Sequence, residues 1–177
     1  MILKILAGMA CVLSCSVGAA EKSGAPGIGG IHVGMDKNEA FKTAQSAPLF
    51  KECENLLDSN ALMINAKDGG FIMTDSVKIS SIKVMFNKKK SVQGLSAVFY
   101  TQNVDAVEGV YHYAQRLLGA AKETSKGTVG FKFEAEWELG KYSASFFASD
   151  QAFETYLLIA YTSFVKEEEL RGTNHPQ

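Results

Sequence analysis

The side chains that could carry out chemistry are few and scattered in this sequence of 177 residues. His32, His112 and His175 lie far apart, and no C-x-x-C or H-E-x-x-H motif brings ligands to the spacing that zinc requires. An S-x-x-K motif runs from Ser80 to Lys83, but the S-D-N and K-T-G motifs that accompany it in β-lactamases are missing. We therefore predict a protein that is not an enzyme, with no catalytic residue, no metal site and no cofactor.

Three carboxylates share one face of a predicted strand. Glu134, Glu136 and Glu138 alternate with apolar residues, and a period of two directs them to the same side of a sheet. Paired carboxylates could serve a glycosidase, but a solvated acidic sheet face is the simpler interpretation. The hairpin register sets Phe147 opposite Glu134, and we expect these four residues to form an interface for a protein partner with a basic surface. Alternatively, the chain's own tail covers Phe147.

The hairpin that positions these residues has the clearest pattern in the sequence. Residues 131–139 alternate strictly between apolar and charged side chains. Gly140-Lys141 suits a two-residue turn, and the alternation continues after it. The resulting register places Trp137 opposite Ala144, so Trp137 is predicted to lie in the core.

Two helical patterns precede the other strands. Asp36 is the predicted cap of a helix over residues 37–47, and residues 49–57 keep a helical spacing of apolar side chains after Pro48. Cys53 lies on the apolar side of the second pattern. That position predicts a buried thiol.

The remaining elements are mostly strands. A phase break in the apolar alternation at Ser80-Ser81 predicts a β-bulge. A further helix is predicted from its cap at Asn103 to its stop at Gly119. This order of elements predicts an α+β fold, in which an antiparallel sheet has helices packed on one face.

The domain organisation follows from the same patterns. A glycine-rich flexible leader is predicted over residues 21–30, a single domain over 31–165 and a charged tail over 166–177. Helices are followed by strands twice, which leaves open that residues 31–102 and 103–165 are two degenerate halves of that domain.

The N-terminal residues 1–20 have the three parts of a secretory signal peptide: a positive start, an apolar run and small residues that end at Ala20. Cleavage after Ala20 starts the mature chain at Glu21 and leaves Cys53 as its single cysteine. Alternatively, the sequence Val-Leu-Ser-Cys that ends at Cys15 resembles a bacterial lipobox, in which the cysteine is lipidated. The expected location is the periplasm or the medium, or the outer membrane if Cys15 is lipidated.

Charge excludes one class of partner and divides the chain into two parts. With 18 basic and 19 acidic residues the net charge is -1, so no basic excess is available for nucleic acid. Residues 21–102 contain ten lysines and eight acidic residues, whereas residues 103–177 contain seven basic and eleven acidic residues. Such asymmetry influences which partners approach and in what orientation. Since no apolar run reaches the length of a membrane span, no transmembrane segment is predicted.

Residues 30–40 resemble a motif of known envelope proteins. The sequence GIHVGMDKNEA is similar to the GI-x-x-GM-(S/T/D)-x-x-E start of the SmpA/OmlA (BamE-like) outer-membrane lipoproteins and of the β-lactamase-inhibitor-protein-like domains. In those families the motif introduces two helices and then an antiparallel sheet. The resemblance implies an envelope scaffold or inhibitor that binds proteins, with no catalytic residues to transfer.

These observations together predict a secreted bacterial envelope protein that binds another protein without catalysis. An inhibitor, an immunity protein and an assembly accessory all fit the sequence. The alternative is a small-ligand or lipid-binding periplasmic module, with a pocket between the sheet and the helices.

Overall fold

Strands provide most of the regular structure in this chain. The computed structural model describes residues 24–75, 77–126, 132–149 and 154–166. In chain order the elements are β1 (Gly27–Ile28), β2 (Ile31–His32), α1 (Lys37–Ser46), β3 (Cys53–Leu57), β4 (Ala61–Ala66), β5 (Ile72–Thr74), β6 (Val77–Phe86), β7 (Val92–Tyr100), α2 (Val104–Leu118), β8 (Glu123–Lys126), β9 (Lys132–Leu139), β10 (Tyr142–Ser149) and β11 (Glu154–Tyr161). Short 3-10 turns lie at Pro48–Phe50 and Lys67–Gly69.

Nine of these strands form one antiparallel sheet. Its order is β3-β4-β6-β7-β11-β10-β9-β8, and β5 pairs with the first part of β6 beside this path. The last strand, β11, therefore lies in the middle of the sheet, between β7 and β10. The strands β1 and β2 form a separate small hairpin.

The predicted α+β fold, with helices packed on one face of the sheet, is wrong. The fold is dominated by the nine-stranded sheet, and in the described residues α1 and α2 are the two helices of ten or more residues. The two possible halves, residues 31–102 and 103–165, lie side by side in this one sheet as the strand groups β3-β4-β6-β7 and β11-β10-β9-β8, which meet where β7 pairs with β11. The error arises because helical spacing over a short segment does not decide between a helix and a strand.

The error in the predicted fold is clearest at residues 49–57, where a helix is predicted. A 3-10 turn occupies Pro48–Phe50, and Cys53–Leu57 is the edge strand β3, paired with β4 along its whole length. The predicted leader is also wrong in part. Within residues 21–30, Gly27–Ile28 is a strand, and the side chain of Ile28 is buried.

The local signals at the helix ends are confirmed. Asp36 caps α1 by accepting a hydrogen bond from the Asn38 backbone N–H, and Asn103 caps α2 in the same way from Ala106. Gly119 ends α2 with a φ of 91°, a value that glycine adopts without steric cost. The predicted bulge is confirmed as a register shift between Ile79 and Ser81.

One face of the sheet, here called the inner face, contains the buried side chains of the core. The register aligns these residues across β4, β6, β7, β11, β10 and β9, and α2 contacts β6, β10 and β11. The aligned residues are Leu62, Ile64, Ile82, Val84, Leu95, Ala97, Leu157, Ile159, Ala144, Phe146, Ala135 and Trp137. By the pleat, every alternate residue lies on the opposite, outer face.

Candidate protein interface

The predicted interface residues lie together on the outer face. Glu134, Glu136 and Glu138 are on β9, and Phe147 is on β10 directly opposite Glu134, as the sequence predicted. The side chain of Phe147 is 38% exposed. The two-residue turn at Gly140-Lys141 fixes this register, because it leaves no freedom to slip by one residue.

Lysines neutralise two of the three carboxylates. Lys132 Nζ lies 2.8 Å from a Glu134 carboxylate oxygen, and Lys122 Nζ donates a hydrogen bond to Glu138 at 2.5 Å. Glu136 is exposed and forms no ion pair with the residues that the structure describes. Glu123 on β8 lies directly opposite Glu136, and facing like charges destabilise a sheet. Glu136 is therefore the carboxylate that would gain most from an external cation.

The carboxylates around Glu138 on the outer face stabilise the positive charge of Lys122. The hydrogen bond to Glu138 and the charge of that carboxylate raise the pKa of the Lys122 ammonium, with smaller contributions from Glu123 and Glu136. Because all three contributing carboxylates stabilise a positive charge, this end of the outer face attracts cations.

Phe147 belongs to a larger apolar surface that the sequence did not reveal. Tyr156 on β11 is directly opposite Phe147 and 37% exposed, and Val98 on β7 is opposite Tyr156. We call Val98, Tyr156 and Phe147 the aromatic row. The only sequence signal for it is that β11 is apolar on both sides, a pattern that also suits a strand covered on both faces.

The aromatic row continues towards β5 at the same end of the sheet. Tyr100 is the next outer-face residue after Val98 on β7, and its ring stacks on Phe71 with centroids 4.9 Å apart. Lys78 Nζ lies 5.3 Å from the centre of the Phe71 ring, and Lys132 Nζ lies 5.9 Å from that of Phe147. Cations over ring faces are a favourable arrangement.

The other residues considered for chemistry do not assemble into a site. His32 is on β2 and His112 is on α2, where its ring nitrogen lies 3.1 Å from the Gln115 side-chain oxygen. In the described ranges no three His, Cys, Asp or Glu side chains are grouped to hold a metal ion. Cys15 and His175 lie outside those ranges.

Cys53 is buried, as predicted, but on β3 and not on a helix. Burial raises the pKa of its thiol, and this effect outweighs the opposing charge of Lys67. Since the thiolate is the reactive form, a raised pKa makes the thiol less nucleophilic.

Ser80 and Lys83 of the S-x-x-K motif are on β6, with Ser80 at the bulge and Lys83 on the outer face. A nucleophilic serine of this type opens a helix in the enzymes that use the motif, so the strand geometry does not match.

Known proteins give little guidance on the family of this chain. No protein-family model matches it, and no curated protein matches it. A solved structure of a DUF4309 family protein, YjgB from Bacillus subtilis, is similar with a TM-score of 0.30 and 11% sequence identity, over 55% of this chain and 68% of that protein. A similarity at this level identifies no family. The resemblance to the SmpA/OmlA and inhibitor-like proteins stays a prediction.

Among the helices in the described part of the chain, none is long and apolar enough to cross a membrane.

Proposed function

We propose that this chain is a secreted, non-catalytic protein of the bacterial cell envelope that binds another protein through the outer face of its sheet. The observation that supports the proposal most is the aromatic row beside the carboxylates of β9. Phe147 and Tyr156 expose more than a third of their side chains on adjacent strands, and large exposed apolar groups together are uncommon on proteins that bind nothing.

The chemistry of this surface suits a partner with basic groups. Aromatic side chains at the centre of an interface contribute most of the binding energy, whereas the surrounding charges mainly set the association rate and its dependence on salt. On the outer face the aromatic row would anchor the partner, and Glu136 would attract its lysines or arginines.

The proposed location follows from the signal peptide, and it has one alternative form. With cleavage after Ala20 the protein is free in the periplasm or secreted. If Cys15 is lipidated instead, the same protein is held at the outer membrane by its lipid. Inhibitor, immunity and assembly roles all use such a binding surface, so the identity of the partner decides among them.

A capture experiment tests the proposal. The protein is immobilised, envelope extract is passed over it, and the retained proteins are identified and then purified for direct titration. The double variant Phe147→Ser, Tyr156→Ser should keep the circular-dichroism spectrum of the folded protein and lose capture of the partner. The matched control Leu57→Ser changes another exposed apolar residue, on the edge strand β3, and should capture normally.

Two results would contradict the proposal. Equal capture by the wild type and the double variant would show that the partner binds elsewhere. A large fall in melting temperature for Phe147→Ser alone would show that this side chain is covered by the protein itself.

A further inference from the structure

One row of residues that runs across the strands of the outer face has a positive charge at one end and a negative charge at the other. The register aligns five residues on β6, β7, β11, β10 and β9, in that order: Lys83, Ser96, Leu158, Ser145 and Glu136. We call this set the charged row. Leu158 is its middle residue, a serine lies on each side, and opposite charges follow at equal distances. With strands about 4.8 Å apart, each charge is roughly 10 Å from the centre.

Both charges of this row are available to another molecule. Lys83 and Glu136 are exposed, and neither forms an ion pair with any other residue in the described ranges. Glu134 and Glu138, the neighbours of Glu136 on β9, are already paired with Lys132 and Lys122.

The aromatic row lies beside the charged row and has the same centre. Tyr156 is on β11, two residues before Leu158, with Val98 and Phe147 on its two sides. An apolar centre therefore lies between a positive side, at β6, and a negative side, at β9 and β8.

We propose that two copies of this chain pack outer face against outer face, about a two-fold axis parallel to β11. This rotation places Lys83 of each copy against Glu136 of the second copy, and Leu158 against Leu158. It also places Val98 against Phe147 of the second copy. Such an interface is self-complementary, as a two-fold interface must be, and two sheets packed in this way lie about 10 Å apart.

Charge favours a second copy over the other occupants. The tail, residues 166–177, contains three glutamates, one lysine and one arginine, so its net charge has the same sign as the β9 end of the face. A uniformly basic partner matches Glu136 at the β9 end of the face and leaves Lys83 at the β6 end without a matching charge. Only an occupant with both charges matches both ends of the charged row, and the second copy supplies both.

The dimer goes beyond the proposed function and does not depend on it. Since the dimer and a partner would use the same face, they would compete, and partner binding would require the two copies to separate. In the dimer each copy would cover the partner-binding surface of the other.

Charge-reversal variants test the dimer directly. The molar mass of the mature protein is measured across a concentration series by light scattering and sedimentation. Lys83→Glu and Glu136→Lys should each weaken the dimer by about tenfold or more at low salt, because each change creates two repulsive contacts in a symmetric dimer. Lys42→Glu, an exposed change on α1 away from this face, should leave the dimer unchanged.

An equimolar mixture of the two single variants tests whether positions 83 and 136 face each other in the dimer. In a mixed dimer the two substituted positions face each other with opposite charges, and the unchanged Glu136 of one copy faces the unchanged Lys83 of the other. Mixing should therefore restore association. The double variant Lys83→Glu, Glu136→Lys should restore it as well. A wild type that stays monomeric at all concentrations would overturn the proposal, and so would single variants that are not rescued by mixing.

These results are separable from those on the partner. Monomeric single variants that still capture the envelope partner would leave the dimer supported and show that the partner does not need that charge. A dimeric wild type that captures no partner would support the dimer and contradict the proposed function.

Discussion

Trp137 connects the strand that contains the carboxylates to the end of α2. Its side chain is 1% exposed, and its indole N–H donates a 2.9 Å hydrogen bond to the carbonyl of Gly119. The ring of Tyr111 on α2 lies 6.2 Å from the indole, and it also contacts Phe133 and Phe146. This aromatic cluster on the inner face holds β9 and β10 in place, and these two strands position Glu136 and Phe147 on the outer face.

We expect Trp137→Ala to destabilise the protein by about 3–5 kcal/mol, the usual cost of deleting a buried aromatic side chain. Trp137→Phe keeps a ring and loses the hydrogen bond to Gly119, and this loss should cost about 0.5–1.5 kcal/mol because Gly119 is exposed and water can replace the indole N–H. Urea unfolding followed by circular dichroism measures both. Because the chain has one tryptophan, native fluorescence also reports on this site. Emission typical of a water-exposed indole in the wild type would contradict the assignment.

At the scale of elements, the turn between β3 and β4 depends on one carboxylate. Asp58 accepts hydrogen bonds from the backbone N–H groups of Asn60 and Ala61, both at 2.6 Å. These two bonds lower the pKa of Asp58, with help from the charges of Lys37 and Lys83. Lys37 adds to the turn by donating to the carbonyl oxygens of Asp58 and Ser59.

The lowered pKa predicts how the stability of this turn depends on pH. Because the folded-state pKa of Asp58 is below the unfolded-state value of about 3.9, its contribution is present above that pH and is lost as the pH falls through the folded-state value. Urea midpoints of the wild type should therefore fall more between about pH 5 and about pH 3 than those of Asp58→Asn, which keeps an acceptor and does not titrate. Parallel pH profiles for the two proteins would be the contrary result.

Elements set by neighbouring residues could be predicted from the sequence. The caps at Asp36 and Asn103, the stop at Gly119 and the β9–β10 hairpin each depend on interactions within a few residues. The segment Cys53–Leu57 could not be assigned, because its apolar spacing suits a helix and its strand character comes from pairing with β4. Tertiary pairing of this kind overrides local pattern.

The candidate site was predictable to the same extent. The turn at Gly140-Lys141 determines that Phe147 lies opposite Glu134, so this pair followed from the sequence. Tyr156 and Lys83 did not, because their positions beside the hairpin depend on β11 pairing with both β10 and β7. Those pairings join residues distant in sequence, and no short-range signal records them.

At the scale of the whole molecule, the proposed signal peptide predicts where the mature chain begins. We expect protein recovered from the cell envelope to begin at Glu21, because small residues end at Ala20 after the apolar run. Intact-mass analysis checks this. A lipid-modified species that begins at Cys15 would instead establish the anchored form.

The place of β11 in the sheet has a consequence for how the protein is made. A ribosome produces the five strands β3 to β7 first and the strands β8, β9 and β10 later, and in the described sheet these two groups share no pairing until β11 lies between them. Residues 154–161 are thus synthesised after the other described strands and complete the sheet from its centre. Until then each group has an unpaired edge, at β7 and at β10, and contacts between such distant segments form slowly. A sheet that closes only after β11 has been made leaves the earlier strands unfolded for longer, which is the state that the proposed export through a membrane channel requires.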